Sequence, residues 1–153
     1  MNFVEGLIYR HEGFRAVAYR DSLRRKLTIG IGLNLDDEAF AAPLCQSHGL
    51  DYHALCNGAS ITMDQALSVL RDCILIATTA ARRLIPNFET LPENARAVVI
   101  DMLVNMGATT FAEFHKMISS LCVGDCKEAA QQMRALSHGG RTLPKNPPGK
   151  PGN

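Results

Sequence analysis

Two hydrophobic periods alternate along the chain. Near the N-terminus Phe3, Val4, Leu7, Ile8 and His11 recur at helical spacing and predict one apolar face. Asn2 with Glu5 forms a capping-box pattern at the start, and Gly13 suits the stop. Residues 14–33 change character. Val17 and Tyr19 alternate with polar neighbours, as do Leu27, Ile29 and Ile31, with a polar turn between the two runs. This predicts a small hairpin or three-strand meander. Residues 34–61 keep neither period. Asp36-Asp37-Glu38, Pro43, Gly49 and Gly58 mark a long connection with room for one short helix.

The helical period then returns. Thr62 with Gln65 opens a long helix carrying Leu67, Leu70, Ile74, Ala77, Ala81 and Leu84, and Pro86 stops it. Thr90 with Glu93 opens a second, with the stripe Ala95, Val98, Val99, Met102, Leu103 and Met106 and a stop at Gly107. Thr110 with Glu113 opens a short third through Leu121, stopped by Gly124. Asp125 with Glu128 caps a last one, with Ala129, Ala130, Met133 and Leu136 inward. Helix, small sheet, long helix and helical bundle in that order make an α+β fold that is mostly helical, its small sheet segregated from the helical body. From 138 the composition shifts to Gly and Pro, which predicts a flexible tail over 138–153.

Composition narrows the classes. The chain of 153 residues is 46 % apolar and 20 % charged, values that fit a globular domain with a sizeable core. A net charge of +1 gives no field to draw nucleic acid, so that class is set aside. The N-terminus has no basic stretch followed by an apolar run, so no signal peptide is read there. The apolar run from Cys73 to Ala81 is too short to span a bilayer. Five cysteines, an odd number, point to free thiols. Cys45, His48, His53 and Cys56 have metal-ligand chemistry, but they sit closer together than common zinc patterns, so no metal site is assigned.

The chemistry concentrates near the N-terminus. Glu12 closes the first helix, and Asp21 follows at the start of the hairpin turn after Tyr19-Arg20. Two carboxylates set face to face are what glycoside hydrolysis requires. A carboxylate at a helix C-terminus opposes the macrodipole, which favours the protonated form that a general acid needs. Each residue also has a plain structural reading. Glu12 suits a surface position, Asp21 a turn that bonds its own backbone, and Thr28 a β-branched strand. Gly30 and Gly32 permit close backbone packing, and Asn105 suits a helix end. The Arg24-Arg25-Lys26 run reads as a solvated turn.

The run Glu12-Gly13-Phe14-Arg15, then Tyr19-Arg20-Asp21, then Thr28-Ile29-Gly30-Ile31-Gly32-Leu33-Asn34-Leu35 resembles the phage-type lysozymes, the muramidases with which tailed bacteriophages open the host wall. The resemblance covers residues 1–137 and is most specific over 9–34 and 94–107. It implies a lysozyme-like catalytic domain over 1–137. A small sheet lobe (13–61) is joined by a connecting helix (62–85) to a helical lobe (86–137 with 1–12), and the cleft lies between the lobes. It implies Glu12 as general acid, with Asp21 and Thr28 managing the attacking water. Gly32, Asn34 and Asn105 would contact the sugars. No metal or cofactor is implied. The substrate would be peptidoglycan, cut at the β-1,4 bond between N-acetylmuramic acid and N-acetylglucosamine, probed by a monomer made in the host cytoplasm. A separate membrane-permeabilising protein would give it access to the wall.

Three departures bear on this. The interval from Asp21 to Thr28 is one residue longer than is common in the family, and the turn holds no Gly, so a bulge must absorb an insertion if Thr28 is to keep its face. Leu33 stands where many members carry a His that forms a salt bridge. After Ala135-Leu136-Ser137 the family's Ser-x-Trp and Arg-bearing closing segment gives way to His138-Gly139-Gly140-Arg141, and the chain has no Trp. The last departure leaves an alternative from another class: a degenerate lysozyme-like protein that binds wall glycan, or serves structurally, without cutting.

Overall fold

The computed structural model describes residues 1–138 apart from Arg24; of 136–138 only the backbone is described. Its eight α-helices and three-stranded antiparallel sheet, among the described residues, give the mostly helical α+β architecture that the periods predict. Helix α1 (Phe3–Glu12) begins with the expected capping box. Asn2 Oδ1 accepts from the Glu5 N–H, and a Glu5 carboxylate oxygen accepts from the Asn2 N–H. One correction concerns its face. Phe3 and His11 do not join the buried stripe but are exposed.

The sheet runs β1 (Arg15–Arg20), β2 (Leu27–Gly30) and β3 (Leu33–Asn34), with β2 central. Tyr19 and Asn34 flank Thr28 on its two neighbours. The register slips within β1, where Arg15 pairs with Gly30 but Tyr19 with Thr28. Four positions of β1 thus run against two of β2, the signature of a bulged edge strand. The hairpin tip is closed by the Asp21 N–H donating to Lys26 O (3.0 Å). Arg25 takes the left-handed conformation (φ +55°) that a Gly commonly supplies in such a turn. Thr28 ends up buried.

Residues 34–61 hold more structure than the sequence predicts. Helices α2 (Glu38–Ser47) and α3 (Tyr52–Cys56) occupy most of that span. Asp37 and Asp51 cap them, accepting from the N–H groups of Phe40 and Ala54. Pro43 lies inside α2, where it removes one helical donor without ending the helix.

Helix α4 (Met63–Leu84) carries the expected Thr62–Gln65 capping box. One apolar cluster gathers Ile8, Ile29, Leu35, Leu44, Leu55 and Leu70 around the sheet; a second gathers Ala81, Ile85, Val99, Leu103, Phe111 and Leu121. The first half of α4 lies in one cluster and the second half in the other. Helix α5 (Glu93–Met106) buries Val99 and Leu103 of the expected stripe together with Ala97 and Ile100, which lay outside it, while Ala95, Val98, Met102 and Met106 are only half-buried. Its start is corrected: Pro92 is the cap position, and the Thr90 hydroxyl donates to Asn87 O in a preceding 3₁₀ turn. The single helix expected from Thr110 is two, α6 (Ala108–Phe111) and α7 (His115–Cys122), and the second starts after Phe114. Helix α8 (Cys126–His138) opens with Asp125 accepting from the Glu128 N–H, as expected. The expected flexible tail lies outside the described residues beyond His138.

Candidate active site

Glu12 is the last residue of α1. Gly13, at φ +67°, turns the chain out of the helix, and its N–H donates to Tyr9 O (2.8 Å). The Glu12 side chain meets the segment after β2. Gly32 sits at φ +79°, and a Cβ there would fall 2.9 Å from Glu12 Cγ and 3.1 Å from Oε2. The two glycines therefore have different jobs. A Cβ on Gly30 would meet the Ala66 Cβ of α4 at 3.3 Å, which is helix packing, whereas Gly32 makes room for the Glu12 carboxyl.

Asp21 opens the hairpin tip. Its Oδ1 accepts from the Leu23 N–H (2.7 Å), the turn role open to any such aspartate. Thr28 is buried in the central strand, and its hydroxyl donates to Lys26 O (3.1 Å). With its proton so placed, Oγ1 presents lone pairs as an acceptor. Asn34 lies across from Thr28, and its Oδ1 accepts from the Asp36 N–H (3.0 Å). Asp36 in turn accepts from the Leu27 N–H and from Arg20; the backbone bond first, then the Arg20 charge, holds its carboxyl below the usual range. This ties the hairpin base to the segment leading into α2.

One cleft of about 330 Å³ is lined by Glu12, Asp21, Thr28, Gly32 and Asn34, and also by Asn105, Met106 and Gly107 at the end of α5. Its apolar lining includes Leu70, Cys73, Ala77 and Leu103. Thus all six residues singled out in the sequence border the same space. Asn105 is not the helix cap; Gly107 takes that position at φ +79°, its N–H donating to Leu103 O (2.9 Å). Lys26, Asp37 and Phe40 also line the cleft, and nothing in their spacing marked them.

Two side-chain bonds between distant helices, outside the cleft lining, carry no sequence signal. Glu5, 5 % exposed, bonds Arg71 of α4 (2.8 Å), and that bond is the largest influence holding its carboxyl below the usual range. His11 Nδ1 lies 2.7 Å from Asp101 Oδ2, joining α1 to α5 across 90 positions of sequence. No local period or motif points to partners so far apart.

The candidate metal ligands of residues 45–56 have differing surroundings. His48 bonds Asp72 of α4 (2.8 Å), His53 is exposed with its ring edge-on to Tyr52, and Cys45 is buried. Among the described residues no group of three or more His, Cys, Asp or Glu side chains could hold a metal ion. All five cysteines are free thiols. No helix among the described residues is long and apolar enough to cross a membrane.

A model of the phage lysozyme family matches residues 9–146. No curated protein matches the chain. The family match extends past Ser137, where the sequence reading ended the resemblance, into the segment that lacks Ser-x-Trp. Matched over most of its length, the chain belongs to the phage lysozyme family, a family of lysozyme-type glycoside hydrolases that act on peptidoglycan.

Proposed function

We propose that this protein is an endolysin muramidase that hydrolyses the β-1,4 bond between N-acetylmuramic acid and N-acetylglucosamine, with inversion at the anomeric carbon. The observation that carries the reading is that Glu12, Asp21 and Thr28 border one cleft, with the Glu12 carboxyl packed on the side-chain-free face of Gly32. Glu12, protonated, gives its proton to the glycosidic oxygen as the bond to the anomeric carbon breaks. A water attacks that carbon from the opposite face. One of its O–H groups donates to Asp21, which takes the proton, and the other donates to Thr28 Oγ1. The water's lone pair is thereby aimed at the carbon. Inversion requires carboxyls separated by roughly 6.5–9.5 Å, so that the water fits between substrate and base.

Asn34 and Asn105 offer amides to the sugars from two sides of the cleft. The protein acts as a monomer, reaches the wall with the help of a separate membrane-permeabilising protein, and serves host lysis. Product analysis tests the chemistry. Hydrolysis gives fragments one water heavier than an anhydro product, and proton NMR of the fresh anomer reads inversion. Anhydro ends or a retained anomer would contradict the mechanism.

A further inference from the structure

The last turn of a helix is its least constrained part, because its carbonyls lack helical partners and its end frays. Glu12 occupies that place in α1, and Gly13 follows it out of the helix. Gly32, in the turn between β2 and β3, packs against the Glu12 side chain. A tether on the helical side comes from its neighbour. His11 Nδ1 lies 2.7 Å from Asp101 Oδ2, and the Asp101 side chain is only 15 % exposed, so this carboxylate has lost most of its water and gains a partner in His11.

The geometry of both helices makes the bond a strut. Neighbouring residues on a helix point about 100° apart. With His11 turned toward α5, the next side chain, Glu12, is directed at the cleft that it lines. Asp101 lies one turn before Asn105, on the same face of α5. A single bond thus sets the last turn of α1, which brings Glu12 to the cleft, against the turn of α5 that precedes Asn105, which also lines the cleft.

We propose that the His11–Asp101 bond positions the Glu12 carboxyl for proton donation, making the two positioning residues of the reaction. This rests on the acid role of Glu12 given above. The bond acts by geometry, so an uncharged acceptor at 101 serves nearly as well as a carboxylate. In Asp101→Ala the turn is released, and kcat on peptidoglycan falls about tenfold while KM stays within about twofold, as small misplacements of a reacting group cost rate. Asp101→Asn keeps an oxygen for the His11 N–H and restores kcat to within about threefold of wild type. His11→Ala matches Asp101→Ala, and the double variant is no worse than either, because both remove one interaction.

Full kcat in Asp101→Ala, a loss confined to KM, or Asp101→Asn as impaired as Asp101→Ala would each overturn the proposal. A wild type that releases no reducing ends would instead defeat the muramidase reading. The strut is then judged by the carbon-13 titration of the Glu12 carboxyl in the folded protein. Its midpoint moves in Asp101→Ala and returns in Asp101→Asn if the bond positions the group. One midpoint in all three proteins, or Asn behaving as Ala, overturns it.

Discussion

The Glu12 carboxyl lies where a side chain on residue 32 would begin: a Cβ on Gly32 would be 2.9 Å from Glu12 Cγ and 3.0 Å from Cδ. Gly32→Ala therefore does two separable things. It places a residue with a side chain at φ +79°, a strain of about 1–2 kcal/mol, and it displaces Glu12. The expected result is a folded enzyme with a lowered melting temperature and kcat reduced tenfold or more, on the order of what misplacement costs. Gly30→Ala is the comparison. It carries similar backbone strain at φ +64°, but its Cβ meets Ala66, so stability falls while kcat falls less. Thermal melts and kcat for the two variants check this.

Thr28 gives a test at the level of one atom. Its hydroxyl donates to Lys26 O, and Lys26 O also accepts from the Asp21 N–H. Thr28→Val keeps the β-branched shape in the central strand and leaves Lys26 O with its backbone donor, so the stability loss should stay near ~1 kcal/mol. Activity should fall at least about a hundredfold if Oγ1 holds the attacking water, the low end of what acid–base machinery contributes. Thr28→Ser should retain most activity. Urea denaturation paired with reducing-end assays separates the two effects.

The Glu5–Arg71 bond predicts a pH dependence of stability. The Arg71 hydrogen bond, more than any other influence, lowers the Glu5 carboxyl below its ordinary value. In the unfolded chain a glutamate titrates near about 4.3. The folded state thus binds this proton less readily than the unfolded state. Its stabilisation is fully present above the unfolded value and is lost as pH falls through the lower folded value. Glu5→Gln should be less stable at neutral pH by about 1–2 kcal/mol, from the charge-assisted bond and the weakened cap. It should also lose stability less steeply than wild type as the solution is acidified below about pH 4. Urea midpoints between pH 3 and about 7 read both.

The thiols divide by burial. Burial, chiefly, pushes the Cys73 thiol up to about 12, and burial also raises Cys45, whereas Cys122 is exposed. The thiolate is the reactive form. In a timed alkylation of the native protein at pH 8, read by mass spectrometry of peptides, Cys122 should be modified first. Cys45, fully buried, should react only once denaturant is added, and Cys73, half-buried in the cleft lining with its thiol held protonated, should react more slowly than Cys122.

The elements most legible in the sequence were those whose ends carry unambiguous local chemistry. Asn2 with Glu5 and Thr62 with Gln65 form the boxes that their spacing predicts. The same spacing at Thr90 and Glu93 misleads, because the Thr90 hydroxyl finds a nearer acceptor in Asn87 O and Pro92 takes the cap. At Thr110 and Glu113 the chain closes one short helix and starts another after Phe114. Helices α2 and α3 were hidden by Pro43 and by aspartates that read as loop residues but are caps. All six candidate site residues line one cleft, a grouping the run of motifs from 12 to 34 anticipated for five of them. What it could not reveal were the tertiary bonds Glu5 to Arg71 and His11 to Asp101, whose partners share no local pattern.

The most direct test of the account is clearing of purified peptidoglycan, followed as loss of turbidity, by the wild-type protein and by Glu12→Gln. Wild type should clear the suspension rapidly, and a Glu12→Gln protein of unchanged fold should clear it at a rate about a hundredfold or more lower, since glutamine cannot donate the proton. Equal clearing by both would remove Glu12 from the centre of the mechanism. Absence of clearing by both, with the wall polymer still bound, would contradict the account and identify a lysozyme-like protein that binds without cutting.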